Sequence, residues 1–142
     1  MDYGEITAEV GDTRVFAQIL DRFPECVMIT AGPEHDKPEE EILFVNKHFE
    51  QMTGYGKEEA LGETPKMLQG EETSEQVMNK LTENLSEDGH FVGETTNYRK
   101  SGEPYQVRWS VDALESDEDS GVTHWVSIQR DTSDDALTSG FR

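Results

Sequence analysis

Apolar residues recur with helical spacing at Val15, Phe16, Ile19, Leu20 and Phe23, which predicts a helix capped by Asp12 or Thr13 and ended by Pro24. CVMIT (26–30) is rich in β-branched residues and reads as a short strand. AGPEHDKPEEE (31–41) carries a glycine, two prolines and a charge run, and reads as a loop. ILFVN (42–46) is a second strand, and its unbroken apolar run predicts burial on both faces. Asn46 caps a short helix that turns Phe49 and Met52 inward and stops at Gly54. KEEAL (57–61) makes a further helical turn. Thr64-Pro65 is an N-cap followed by proline at the first helical position, so another short helix starts there. Thr73-Ser74-Glu75-Gln76 has the form of a capping box. Behind it Val77, Met78, Leu81 and Leu85 form the apolar stripe of a longer helix that stops near Gly89.

Three strands follow: HFVGETTNYR (90–99), YQVRWSVDAL (105–114) and VTHWVSIQRD (122–131). The turn KSGEP separates the first two, and the acidic turn ESDEDSG (115–121) the last two. Two strands, short helices, one longer helix and a meander of three strands predict an α+β fold, one antiparallel sheet of five strands with helices on one face. Residues 1–11 and the tail DTSDDALTSGFR carry no clear core pattern, and no internal repeat is present.

The length, 142 residues, suits one domain with a real core. Asp and Glu number 31 against 12 Lys and Arg, a net charge of −19. That surface repels nucleic-acid phosphates, which argues against DNA or RNA as partner. Acidity with low hydrophobicity also describes disordered chains, but periodic apolar segments persist beneath the acid. Adaptation to high salt, where screening removes the self-repulsion, accounts for it. No apolar run approaches the roughly 18 residues of a membrane span, and no signal-peptide pattern opens the chain. A cytoplasmic location without membrane contact is the default expectation. The single cysteine, Cys26, excludes an internal disulfide framework and a zinc ribbon.

Three phrases, in this order, resemble the PAS domain. FVNKHFEQMTGYGKEEALG (44–62) matches its strand-helix-helix phrase, NYRKSGEPY (97–105) its hairpin and QRDTS (129–133) its closing exit, and the order of elements agrees. The resemblance implies the PAS fold over 24–133, an amino-terminal segment with a flanking helix at 1–23, and the start of a linker at 134–142. LQG (68–70), the acidic-Thr start of the next helix, Asn97 before Tyr98, and Gln129 in the last strand are similar to the LOV subtype, which binds flavin mononucleotide. The resemblance implies that Asn97 and Gln129 bond the polar edge of a flat ligand and that Gln69 adds another contact. It also implies a multidomain sensory protein of haloarchaeal or other prokaryotic type, a transducer or a histidine kinase of a two-component system.

The departures redirect that expectation. The LOV signature Gly-x-Asn-Cys-Arg-Phe-Leu-Gln-Gly appears here as GETPKMLQG (62–70). Pro65 stands at the position of the photoactive cysteine and has no nucleophile. Thr64 replaces an Asn, Lys66 keeps the positive charge of an Arg without its planar fork, and Val107 stands where a second ring-binding Asn is expected.

Strand alternation gathers a proposed lining. Thr95 shares a face with Asn97, Val107 with Trp109, Trp125 with Ser127 and Gln129, and Met28 with Cys26 and Thr30. Met67 and Gln69 come from the segment after Pro65. Apolar and aromatic walls with a few amides and hydroxyls are the make-up of a small-molecule pocket. Trp109 and Trp125 offer stacking surfaces, and bulky Trp109 suits a small planar aromatic ligand better than three fused rings. The same tryptophans also read as plain core, and buried amides as bonded to backbone or water. Cys26 has no neighbouring base or cation to activate it and reads as structural.

Haem-binding PAS domains use a His on the long helix, and 73–87 contain none, so haem is not expected. ESDEDSG lacks the spacing of a calcium loop. No phosphate loop, nucleophile phrase or His-Glu metal motif is present, so enzymatic activity is not expected. Three readings remain: a small-molecule sensor, a flavin-binding redox or light sensor without adduct formation, and a ligand-free module that dimerises or contacts other domains of its parent protein.

Overall fold

A computed structural model describes residues 13–115 and 121–133. Helix α1 spans Thr13–Asp21, β1 Cys26–Ala31, β2 Ile42–Val45, α2 Lys47–Thr53 and α3 Lys57–Ala60. A 3-10 helix covers Pro65–Leu68, followed by α4 (Glu75–Asp88), β3 (His90–Tyr98), β4 (Pro104–Leu114) and β5 (His124–Asp131). The cap expected at Asp12, most of the acidic turn and the linker from 134 lie outside the described residues. No described helix is long and apolar enough to cross a membrane.

The five strands form one antiparallel sheet, as expected, and its order is β2-β1-β5-β4-β3. The last strand therefore lies between the first strand and the hairpin, with Cys26 opposite Gln129 and Trp109 opposite Gln129 on its other side. One half of the inner face is filled by a close-packed cluster of Cys26, Met28, Ile42, Val45, Phe49 and Leu68 with Ala60. These side chains come from β1, β2 and the short helices above them.

Asn46 holds this half together. Its Oδ1 accepts from the Val27 and Phe49 amides at 3.0 and 3.4 Å, and its Nδ2 donates to the Leu20 and Glu25 carbonyls at 2.8 and 3.0 Å. One fully buried amide thus caps α2 and ties it to the end of α1 and the start of β1. Gly54 ends α2 in the left-handed region at φ 81°, which favours glycine.

Two local expectations change. Leu43 and Phe44 are half-exposed, because β2 is an edge strand and not a buried one. Its free side is covered by Gly62 and Glu63, whose backbone pairs with Ile42, and the Phe44 ring lies under Lys57 Nζ at 5.6 Å. Ser74, not Thr73, caps α4 by accepting from the Val77 amide at 3.1 Å. Thr73 Oγ1 instead accepts from the Gly70 amide and donates to the Thr96 carbonyl, fastening the turn before α4 to β3. The Glu72 amide adds a bond to Tyr98 Oη at 2.8 Å, and the Tyr98 ring packs where a Cβ on Gly70 would stand.

At the hairpin end, Arg99 joins three elements. Its guanidinium donates to the Met52 carbonyl at 2.5 Å, to Asp131 Oδ2 at 2.6 Å and to Glu103 Oε1 at 2.6 Å. Arg99→Met leaves the Met52 carbonyl and Asp131 without that partner and is expected to cost about 2 kcal/mol of stability in urea unfolding. Lys100→Met breaks only the exposed pair with Glu59 and is expected to cost under about 0.5 kcal/mol. Equal losses would show that Arg99 is no more than a surface charge.

Candidate functional site

The other half of the inner face is not filled. Helix α4 crosses β3 and the near part of β4, and none of its residues is fully buried. Its stripe of Met78, Leu81 and Leu85 roofs a cavity of about 80 Å³. Pro65, Leu68 and Gln69 wall one side. The floor takes Met28 and Thr30 from β1, Trp125, Ser127 and Gln129 from β5, Trp109 and Val111 from β4, and Thr95 and Asn97 from β3.

The register explains the arrangement. Reading across β1, β5 and β4, the inward rows are Thr30–Trp125–Ala113, Met28–Ser127–Val111 and Cys26–Gln129–Trp109. The two indoles therefore sit at opposite ends of the patch, with Val111 and Ser127 between them. Gly93 stands opposite Trp109. Its missing side chain leaves room for Phe91, whose ring lies 5.3 Å from that of Trp109 and tilted by 58°.

Gln129 is the most constrained polar group here, with 6% of its surface exposed. Its Nε2 donates to Ser127 Oγ at 3.2 Å and faces Met28 Sδ at 3.9 Å, while its Oε1 is buried without a partner. Thr95 Oγ1 accepts from the Ser74 amide at 2.8 Å, so that hydroxyl both lines the cavity and steadies the start of α4.

Of the ten side chains expected at the site, eight line the cavity: Met28, Gln69, Thr95, Asn97, Trp109, Trp125, Ser127 and Gln129. Val107 lies on the expected face but one row beyond, between Thr95 and Asp131, where it is buried outside the lining. Met67 packs against the close-packed cluster instead. A 3-10 helix repeats every three residues, so Pro65 and Leu68 share the cavity face and Met67 turns away. That period, and the stripe of α4, were the signals for the wall and roof.

A second, open cleft lies behind Gln129, lined by Cys26, His48, Met52, Arg99 and Asp131 among others. Cys26 is absent from the cavity lining. Burial pushes its thiol up from 9.0 to about 12. Tyr105, under the Arg99 guanidinium at 4.4 Å and opposite Asn97, is likewise pushed by burial to about 12, and its hydroxyl has no well-formed hydrogen bond. Burial raises Asp131, but its bonds to Arg99 and Ser133 outweigh this and hold it below the usual carboxylate range. Among the described residues no group of three or more His, Cys, Asp or Glu is placed to hold a metal ion.

The family profile of the PAS domain matches residues 24–134. The chain is 31% identical over 134 residues to the bacterioopsin transcriptional activator of Halobacterium salinarum, covering 94% of this chain and 19% of that protein. It is 34% identical over 105 residues to a blue-light photoreceptor of Listeria monocytogenes, covering 74% of this chain and 40% of that one. The chain thus spans between about a fifth and two fifths of these relatives. Among solved structures, the LOV domain of the Erythrobacter litoralis EL346 blue-light activated histidine kinase superposes with a TM-score of 0.68 at 27% identity, covering 79% of this chain and 99% of that one.

Cys26 and Tyr105 make an alkaline prediction. Both are held neutral by the fold, so their contribution is intact below their unfolded values of 9.0 and 10.0 and is lost as pH rises towards about 12. The urea midpoint is expected to fall across that window, and Cys26→Ala to flatten its lower part. At neutral pH a thiol reagent is expected to label native Cys26 at least about 100-fold more slowly than the unfolded chain. Rapid native labelling, or a flat alkaline profile, would contradict the burial described.

Proposed function

The chain belongs to the PAS domain family, and from that premise we propose that it is the sensory domain of a signal-transduction protein that reads a small planar aromatic ligand held between Trp109 and Trp125. The observation that carries this reading is the half-filled inner face: an aromatic-walled cavity whose buried amide, Gln129, has an open hydrogen-bonding valence. A fold that had closed on itself would have buried part of α4 and paired that oxygen.

The size of the cavity sets the size of the guest. About 80 Å³ is below the roughly 150 Å³ of an apolar cavity that holds benzene, and far below the roughly 300–1,000 Å³ of pockets for drug-sized ligands. A one- or two-ring molecule enters with small movements of Met78, Leu85 or α4, whereas three fused rings need the helix lifted from the sheet. Flavin mononucleotide is the second reading, supported by the similarity to LOV proteins and by Asn97, Gln129 and Gln69 lining the cavity. In either case the cysteinyl-flavin adduct is absent, because Pro65 occupies the cavity wall and the only thiol lies outside the lining.

Transmission follows the last strand. Gln129 is two residues from Asp131, which is latched to Arg99 and accepts from the Ser133 amide at 2.9 Å. A ligand that rebalances bonds at Gln129 acts on this latch, and through it biases the flanking segments, α1 and the linker from 134. The partners are then other domains of the parent protein or a second copy of this chain.

Purified protein is expected to show no blue-region absorption, and mass spectrometry after denaturation to release a small aromatic molecule. Leu81→Phe is expected to abolish its retention while leaving the ligand-free protein at least as stable. Full flavin occupancy would replace this reading with the second one. A filled variant that retains the ligand would place the ligand elsewhere.

A further inference from the structure

Resting on the ligand-binding reading above, we infer that the guest of this cavity is a hydrogen-bond donor at its edge: an aromatic ring N–H or phenolic O–H directed at Gln129 Oε1.

The orientation of the amide carries the argument. A thioether sulfur has no proton to give and accepts weakly. The end of the Gln129 amide that faces Met28 Sδ is therefore its NH2 end, and this end also donates to Ser127 Oγ. The carbonyl oxygen points the other way and meets no donor. Turning the amide over would set two acceptors against each other at Met28, so the methionine locks the polarity of the site. An amide oxygen buried without a donor is costly, and the remedy is a donor supplied from outside the chain.

Among the described residues no donor reaches this oxygen, the Asn97 and Gln69 amides of the same lining included. Asn46, the comparable amide of the close-packed half, has both of its ends engaged within the chain. A lasting water needs two to four polar partners, and most of the lining is apolar, Trp109, Trp125, Met78, Leu81 and Leu85 among it, with the polar side chains at its floor and edge. An aromatic N–H or O–H satisfies the oxygen while its ring fills the apolar remainder. A ring whose edge offers only acceptors meets Gln129 Oε1 lone pair to lone pair.

Indole and benzofuran test this, since they share shape and differ in replacing the ring N–H by an oxygen. In calorimetric titration of the protein, indole is expected to bind about tenfold more tightly than benzofuran. In Gln129→Met, which keeps side-chain length without the acceptor, the gap is expected to close to within about threefold through loss of indole affinity. Should that variant not fold, the comparison on the unaltered protein stands by itself. Equal binding of the two probes overturns the donor inference and leaves the ligand-binding reading intact. Binding of neither at millimolar concentration overturns both.

Discussion

The pairing of β1 with β5 is the constraint on which the rest of the structure depends. It brings together residues about a hundred positions apart, Met28 with Ser127 and Cys26 with Gln129. Closing so long a loop costs conformational entropy that only the finished sheet returns. Once closed, the pairing inserts the last strand between the first strand and the hairpin. The same insertion assembles the floor of the cavity from β1, β5 and β4, and leaves the end of β5 beside Arg99.

Two buried amides show how the inner face divides. Asn46 uses both of its ends within the chain and joins α1, β1 and α2 into a filled half. Gln129 lies at the boundary with the unfilled half and keeps one valence open. The difference is set by what lies above. Short helices α2 and α3 press Phe49 and Ala60 into the sheet, whereas α4 rests mainly on β3 and buries no residue fully. Filling the remaining space would remove apolar surface of Leu81, Leu85 and the indoles from water, at about 25 cal/mol per Å². A ligand bound as proposed would gain that energy, and its occupancy would be coupled to the seating of α4.

Much of this was legible in the sequence because local signals and tertiary structure agree. Asn46 and Gly54 bound α2, Thr64-Pro65 starts the 3-10 helix, and strand alternation placed Trp109, Trp125, Ser127 and Gln129 on one face. What was not legible required knowledge of neighbours. The apolar run of β2 gives no sign that it forms an edge covered by Gly62 and Glu63. Thr73 and Ser74 are both good caps, and only the position of β3 decides that Thr73 is used elsewhere. Met67 and Leu68 are equally apolar, and the 3-10 period separates their fates. Val107 has the right alternation but sits in the row next to Asp131, beyond the reach of the roof.

The most direct test of the central claim is the electron density between Trp109, Trp125 and Gln129 in crystals of protein purified without added ligand. A planar guest over Val111 and Ser127, with a donor atom within about 3 Å of Gln129 Oε1, is the predicted result. Density showing α4 collapsed onto the sheet, with Leu81 and Leu85 filling the space and Gln129 Oε1 bonded within the chain, would contradict it.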